Sequence, residues 1–203
     1  MYKRIVIYLK EMYPPFSRLG LAIGLFFTMF FLILTSNGIH EFSIGLREWI
    51  AVLTTYAFLL SLRIADEFKD LDTDRKNFPQ RPLPSGRVKQ SDLITLLLIF
   101  QIPTVVLNLL FMNNLPFFVA LYVYGALMTM WFFAKRLIKH NLFLALVTHN
   151  PVQLLLNAYL ASYICISYGL TISSPGVMLS IIALYLPGLI WEIGRKIRAP
   201  KDE

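Results

Sequence analysis

Apolar residues run along this chain in long unbroken blocks, and polar residues gather between the blocks rather than alternating within them. Blocks at about 19–36, 47–63, 92–112, 115–133, 142–165 and 176–191 approach or exceed the roughly eighteen residues that cross a hydrocarbon core of about 30 Å as a helix. Nothing resembles the alternating segments of a membrane β-barrel, and only helices and closed barrels satisfy their backbone polar groups in lipid. The pattern predicts an all-α fold: a polytopic transmembrane helical bundle, one domain over residues 1–203, with six spans and both termini on one side. Residues 1–15 place Ile5, Val6, Leu9 and Met12 among Lys3, Arg4, Lys10 and Glu11 before Pro14 and Pro15. That spacing predicts a short amphipathic helix lying at the membrane interface.

Composition sharpens this picture. Of the 203 residues 57% are hydrophobic and only 15% charged, against about 45–50% apolar in soluble domains, which argues against a single soluble domain. The net charge of +7 raises the question of nucleic acid, but its distribution answers it. With six crossings, every one of the 19 Lys and Arg residues except Arg47 falls on the face that carries the termini. This is the positive-inside pattern, so that face is expected to be cytoplasmic and the protein multi-pass in the cell (inner) membrane. Nucleic acid is then an unnecessary partner. The lone Cys165 allows no internal disulfide. The first block has no small-residue cleavage site after it and reads as an uncleaved span.

Candidate chemistry concentrates in the loop at 64–91, between the second and third spans. Asp66, Glu67, Asp70, Asp72 and Asp74 place five carboxylates within nine residues. An Asp at the bilayer centre costs about 2.5–3.5 kcal/mol, so this segment must leave the lipid or line a wet cavity. Continued as a helix, it sets Asp66, Asp70 and Asp74 at i, i+4 and i+8 with Glu67 beside them, four oxygen donors on one face. Carboxylates about 6 Å apart repel by about 0.7 kcal/mol in water but nearer ~3 at an effective dielectric of 20. A partly buried cluster therefore calls for a cation, and a carboxylate set without His or Cys suits Mg²⁺, which takes its other ligands from water and phosphates. The plainer reading is a solvated charge run in which Lys69, Arg75 and Lys76 pair with the acids. Arg81-Pro-Leu-Pro-Ser-Gly-Arg87 follows, a stiff turn bearing guanidiniums suited to phosphate oxygens. Lys135 and Arg136 follow Trp131-Phe-Phe at the next cytoplasmic span end, either as phosphate contacts or as interface anchors.

These residues resemble the UbiA superfamily of intramembrane prenyltransferases. The family's N-D-x-x-D-x-x-x-D motif corresponds to Asp66-Glu67-Phe-Lys-Asp70-Leu-Asp72-Thr-Asp74, with Asp66 and Glu67 in place of Asn and Asp. Its R-P-x-P-x-G turn corresponds to residues 81–86, and its Y-x-x-x-K-R to Trp131 with Lys135 and Arg136, where Trp replaces the phenol. The second acidic motif, usually D-x-x-x-D, is represented by Glu192, with Arg195 and Lys196 near the place of its second acid. The resemblance implies Mg²⁺ on Asp66, Glu67, Asp70, Asp74 and Glu192, and diphosphate on Arg63, Arg81, Lys135, Arg136, Arg195 and Lys196. It implies transfer of an isoprenyl group from a polyprenyl diphosphate to an aromatic or other lipophilic acceptor. Relatives commonly have more than six spans, so the chain is expected to be a truncated member.

In the fifth block, His149-Asn150-Pro151 and Gln153 are polar residues that should face the bundle interior. His149, Asn150 and Trp131 are candidates for the acceptor pocket, and interhelical hydrogen bonding is their plainer role. Gln101 and Asn108, at i and i+7 in the third block, carry the same two readings with structure favoured. The alternatives to an enzyme of this kind are a small transporter, which predicts acids within the spans, and an inactive homologue with a non-catalytic acidic loop. A phosphotransferase acting on CDP-activated lipids would need a D-G-x-x-A-R core, which is absent.

Overall fold

The computed structural model describes residues 1–139 and 141–196, with only the backbone described at Lys139, Leu142, Arg195 and Lys196. Among the described residues the regular structure is entirely helical: α1 (Tyr2–Glu11), α2 (Pro15–Ser36), α3 (Leu46–Lys69), α4 (Leu71–Asn77), α5 (Gln90–Phe111), α6 (Leu115–Thr129), α7 (Lys135–Lys139), α8 (Leu142–His149), α9 (Pro151–Tyr168) and α10 (Pro175–Lys196). A single 3₁₀ turn, Trp131–Phe133, joins α6 to α7.

Four of the described helices are long and apolar enough to cross a membrane: Pro15–Ser36, Leu46–Lys69, Gln90–Phe111 and Pro175–Gly194. The surface of α5 matches that role. On α5 the residues Ile99, Ile102, Leu109 and Leu110 are all more than half exposed, a contiguous apolar face that soluble monomers rarely carry. The expected spans at 115–133 and 142–165 are interrupted. The α6 helix ends at Thr129, because Trp131, Phe132 and Phe133 take φ values of +54°, +48° and +58°. The later block divides at Asn150, because Pro151 has no N–H to donate backward and is instead suited to start α9.

The chain forms two compact units. The first comprises Met1–Gly24 and Gly45–Phe111, the second Leu25–Ile44 and Met112–Glu203. In the first unit α3 packs along α5, where Asn108 Nδ2 donates to Thr54 Oγ1 at 2.8 Å and Gln101 Nε2 to the Ala57 carbonyl at 2.8 Å. Lipid tails give apolar side chains little reason to prefer a neighbouring helix, so such bonds, each worth about 0.6–2 kcal/mol, fix the pairing. The structural role favoured for Gln101 and Asn108 is the one observed. In the second unit α9 packs between α6 and α10. Asn114 Nδ2 donates to the Tyr159 carbonyl at 2.9 Å and to Ser162 Oγ at 3.0 Å, and Asn157 Nδ2 donates to the Ile181 carbonyl at 3.1 Å. Phe26 and Phe30, on the α2 segment of this unit, pack against Tyr163 and Tyr168 of α9.

Candidate functional site

The acidic segment of the first unit does not continue as one helix. α3 ends at Lys69, and Asp70 closes it with φ −106° and ψ 8° before α4 restarts at Leu71. The change of axis divides the carboxylates expected on a single face. Glu67 and Asp74 turn inward and are buried, whereas Asp66, Asp70 and Asp72 are exposed.

Each inward carboxylate meets a guanidinium. Arg63, one turn earlier on α3, donates to Glu67 Oε1, and Arg81 Nη1 donates to Asp74 Oδ2 at 2.8 Å. Arg81 also lies over the Phe78 ring, 4.0 Å from its centroid, so both its charge and its flat face are engaged. The two pairs are close enough for Asp74 and Arg81 to act electrostatically on Glu67. Glu67 keeps one oxygen, Oε2, buried and without a hydrogen-bonding partner among the described residues.

The proline turn fixes Arg81 in place. Ser85 N–H donates to the Arg81 carbonyl at 3.0 Å, Gly86 N–H to Leu83 at 3.1 Å, and Val88 N–H to Pro82 at 3.0 Å. Leu83 and Val88 are buried beneath it. Gly86 has φ +77°, a left-handed conformation that a side chain would strain. The sequence thus dictates a rigid bracket for a cation.

Four residues outside the motif, Arg4, Tyr8, Glu11 and Asp92, complete this end of the unit. Arg4 of α1 grips Asp92 through Nε at 2.6 Å and Nη2 at 2.9 Å, while Asp92 also accepts the Lys89 N–H at 3.0 Å and so caps α5. Arg87 grips Glu11 at 2.6 and 2.9 Å, and its guanidinium holds the Glu11 carboxyl below its usual range. Tyr8, fully buried, turns its ring inward between them. The sequence reading placed Arg4 and Glu11 on the interfacial helix and gave none of Arg4, Tyr8, Glu11 and Asp92 a part in the site. Their signal was the i, i+4, i+7 spacing of Arg4, Tyr8 and Glu11, a polar stripe on a helix read mainly for its apolar positions.

The remaining candidates lie in the second unit. Trp131 and His149 are brought together edge to face, 5.4 Å between ring centroids, and Phe132 packs on His149 at 6.2 Å. Tyr124 donates to the Thr148 carbonyl at 2.9 Å, tying α6 to the end of α8. Asn150 is half-buried with its Nδ2 enclosed, next to this aromatic cluster in the chain. Lys135 and Arg136 are exposed at the start of α7, and Glu192 is half-buried on α10. The side chains of Arg195 and Lys196 lie outside the described residues, as do residues 197–203.

Among the described residues no three of His, Cys, Asp and Glu stand close enough to hold a metal ion. The chemistry of the donors still suits Mg²⁺, which is commonly held by one or two carboxylates with water and phosphate oxygens completing its shell. Glu67 and Asp74 are two such carboxylates, and the enclosed Oε2 of Glu67 is an oxygen suited to a cation. The chain matches no family model, no curated protein and no solved structure.

Proposed function

We propose that this chain is an intramembrane prenyltransferase that moves an isoprenyl group from a polyprenyl diphosphate to an aromatic or other lipophilic acceptor. The observation that carries the reading is the array of Arg63, Glu67, Asp74 and Arg81, two buried carboxylates and two guanidiniums bracketed by an apolar helix and a rigid proline turn. In this reading the chain crosses the membrane six times, α8 and α9 forming one broken crossing, and the one-sided Lys and Arg distribution supports a cytoplasmic acidic loop.

Ionisation of an allylic diphosphate requires neutralisation of the leaving group and exclusion of water from the cation left behind. Glu67 and Asp74 would hold Mg²⁺, which when bound supplies Lewis-acid neutralisation of the departing oxygens. Arg63 and Arg81 offer paired N–H donors to the diphosphate, and the Phe78 ring keeps the Arg81 guanidinium oriented while it does so. Asp66 and Asp70, exposed at the end of α3, add negative charge that favours the metal-bound form of the substrate. In the second unit the Trp131–His149 ring pair, with the half-buried Asn150 next to it in the chain, is suited to a lipophilic acceptor, and Lys135 and Arg136 present exposed cations to anionic groups.

The pairing of each buried carboxylate with its own guanidinium also favours a second reading, an inactive homologue whose acidic loop is a structural ion-pair network. Binding of farnesyl or geranylgeranyl diphosphate to the full chain in lipid nanodiscs separates the two. The prenyltransferase reading expects binding that requires Mg²⁺ and disappears with chelator. A folded protein that does not bind, as a structural network or a transporter would not, overturns it.

A further inference from the structure

Arg4 and Glu11 pin α1 to the rest of the first unit at two points, each by a two-pronged ion pair. Tyr8 lies between these pins on the same helix face and is carried fully into the interior. Its hydroxyl faces the Arg63–Glu67 pair, and burial together with the Glu67 charge pushes the phenol well above its ordinary range. A tyrosine phenol, with an ordinary pKa of about 10, carries its proton and can serve as an O–H donor. The Tyr8 hydroxyl and Glu67 Oε2 are both enclosed; the Arg63 guanidinium lies beside the hydroxyl but, being a donor only, leaves its O–H without an acceptor, and Oε2 has no hydrogen-bonding partner among the described residues. Buried polar groups of this kind normally find partners, so two in one neighbourhood point to something that binds there.

The two atoms define what that is. A carboxylate oxygen can accept a hydrogen bond or take a cation, whereas a protonated phenol offers a donor to an anionic oxygen. A ligand that answers both carries a cation and an anionic oxygen side by side. We infer that Tyr8 is a diphosphate-binding residue of the acidic site, its hydroxyl donating to a phosphate oxygen of a magnesium diphosphate whose metal is taken by Glu67. This deepens the prenyltransferase reading and rests on it. The N-terminal helix is then a wall of the binding site, and its ion pairs to Asp92 and Arg87 hold the donor in position.

The test is Tyr8→Phe in the full chain in nanodiscs, which keeps the ring and removes the hydroxyl. The thermal unfolding midpoint without ligand should be equal to or above the parent's, because a buried O–H that has no acceptor has been deleted. Affinity for magnesium farnesyl diphosphate, measured by calorimetry, should fall about tenfold with the loss of one hydrogen bond to a charged group. Unchanged affinity overturns the inference, and so does a lower midpoint, which would mean that the hydroxyl is already bonded in the free protein. Failure of the parent to bind the probe overturns the enzyme reading and this inference together, whereas a parent that binds beside an unaffected variant overturns only the inference.

Discussion

The two units handle candidate functional residues in opposite ways. In the first unit, carboxylates and guanidiniums are drawn inside and fixed against one another, with Glu67 and Asp74 buried and paired. In the second, the cations Lys135 and Arg136 stay exposed, and it is the half-buried rings of Trp131, Phe132 and His149 that pack on one another, at a left-handed turn. Burying a charge is costly unless it is paired, so ordering the first site depends on ion pairs and ordering the second on ring packing and backbone conformation. The difference matters for mechanism. A preorganised pair of opposite charges can exchange partners with a charged ligand, whereas an aromatic cluster of this kind suits an apolar one.

The largest expected effect breaks the first unit's side of this comparison. Asp74→Ala leaves Arg81 without its carboxylate and should lower stability by about 2 kcal/mol, less than for a fully enclosed pair because the Arg81 side chain is 32% exposed. Arg136→Ala, in the second unit, should change stability by less than about 0.5 kcal/mol. Chemical denaturation of both variants in detergent reads the contrast, and equal effects would erase it.

A smaller effect of opposite sign sharpens the second side. Phe133 has φ +58° and is 74% exposed, so its side chain strains the backbone and buries little. Phe133→Gly should raise stability by about 1 kcal/mol, seen as a higher unfolding midpoint. A lower midpoint would mean that the ring, not the turn, holds this segment.

The smallest effect concerns pH. Arg87 holds the Glu11 carboxyl below its usual range, so the pair's contribution is complete above the ordinary carboxylate pKa of about 4.3 and is lost as pH falls through the lowered folded value. The unfolding midpoint of the parent should therefore fall more steeply under acid than that of Glu11→Gln. Parallel profiles would show that this exposed pair does not fasten α1.

Much of the fold was legible from pattern alone, because lipid-crossing helices need long apolar blocks and this chain has them at α2, α3, α5 and α10. The break before Pro151 was not drawn, and the expected span at 142–165 ran through it, although proline cannot donate its backbone N–H and is suited to start a new helix. The turn at Trp131–Phe133 was not legible, because no local residue announces a positive φ when glycine is absent, and the expected span at 115–133 ran through it. The acidic motif was legible as a cluster but not as an arrangement. A single continuous helix places Asp66, Glu67, Asp70 and Asp74 on one face, whereas the break at Asp70 turns two inward and leaves two outside. The inward carboxylates are the two that meet a guanidinium, Glu67 with Arg63 one turn earlier and Asp74 with Arg81 from the proline turn, and only the break at Asp70 lets both turn inward.

The central claim is that this buried charge array takes up a metal diphosphate. Electron paramagnetic resonance of Mn²⁺, substituted for Mg²⁺ and titrated with farnesyl diphosphate against the full chain in nanodiscs, tests it most directly. The account predicts an immobilised Mn²⁺ signal that needs both the protein and the diphosphate and is lost in Glu67→Gln. A spectrum in the parent no different from that of the Mn²⁺ diphosphate complex free in buffer would contradict it.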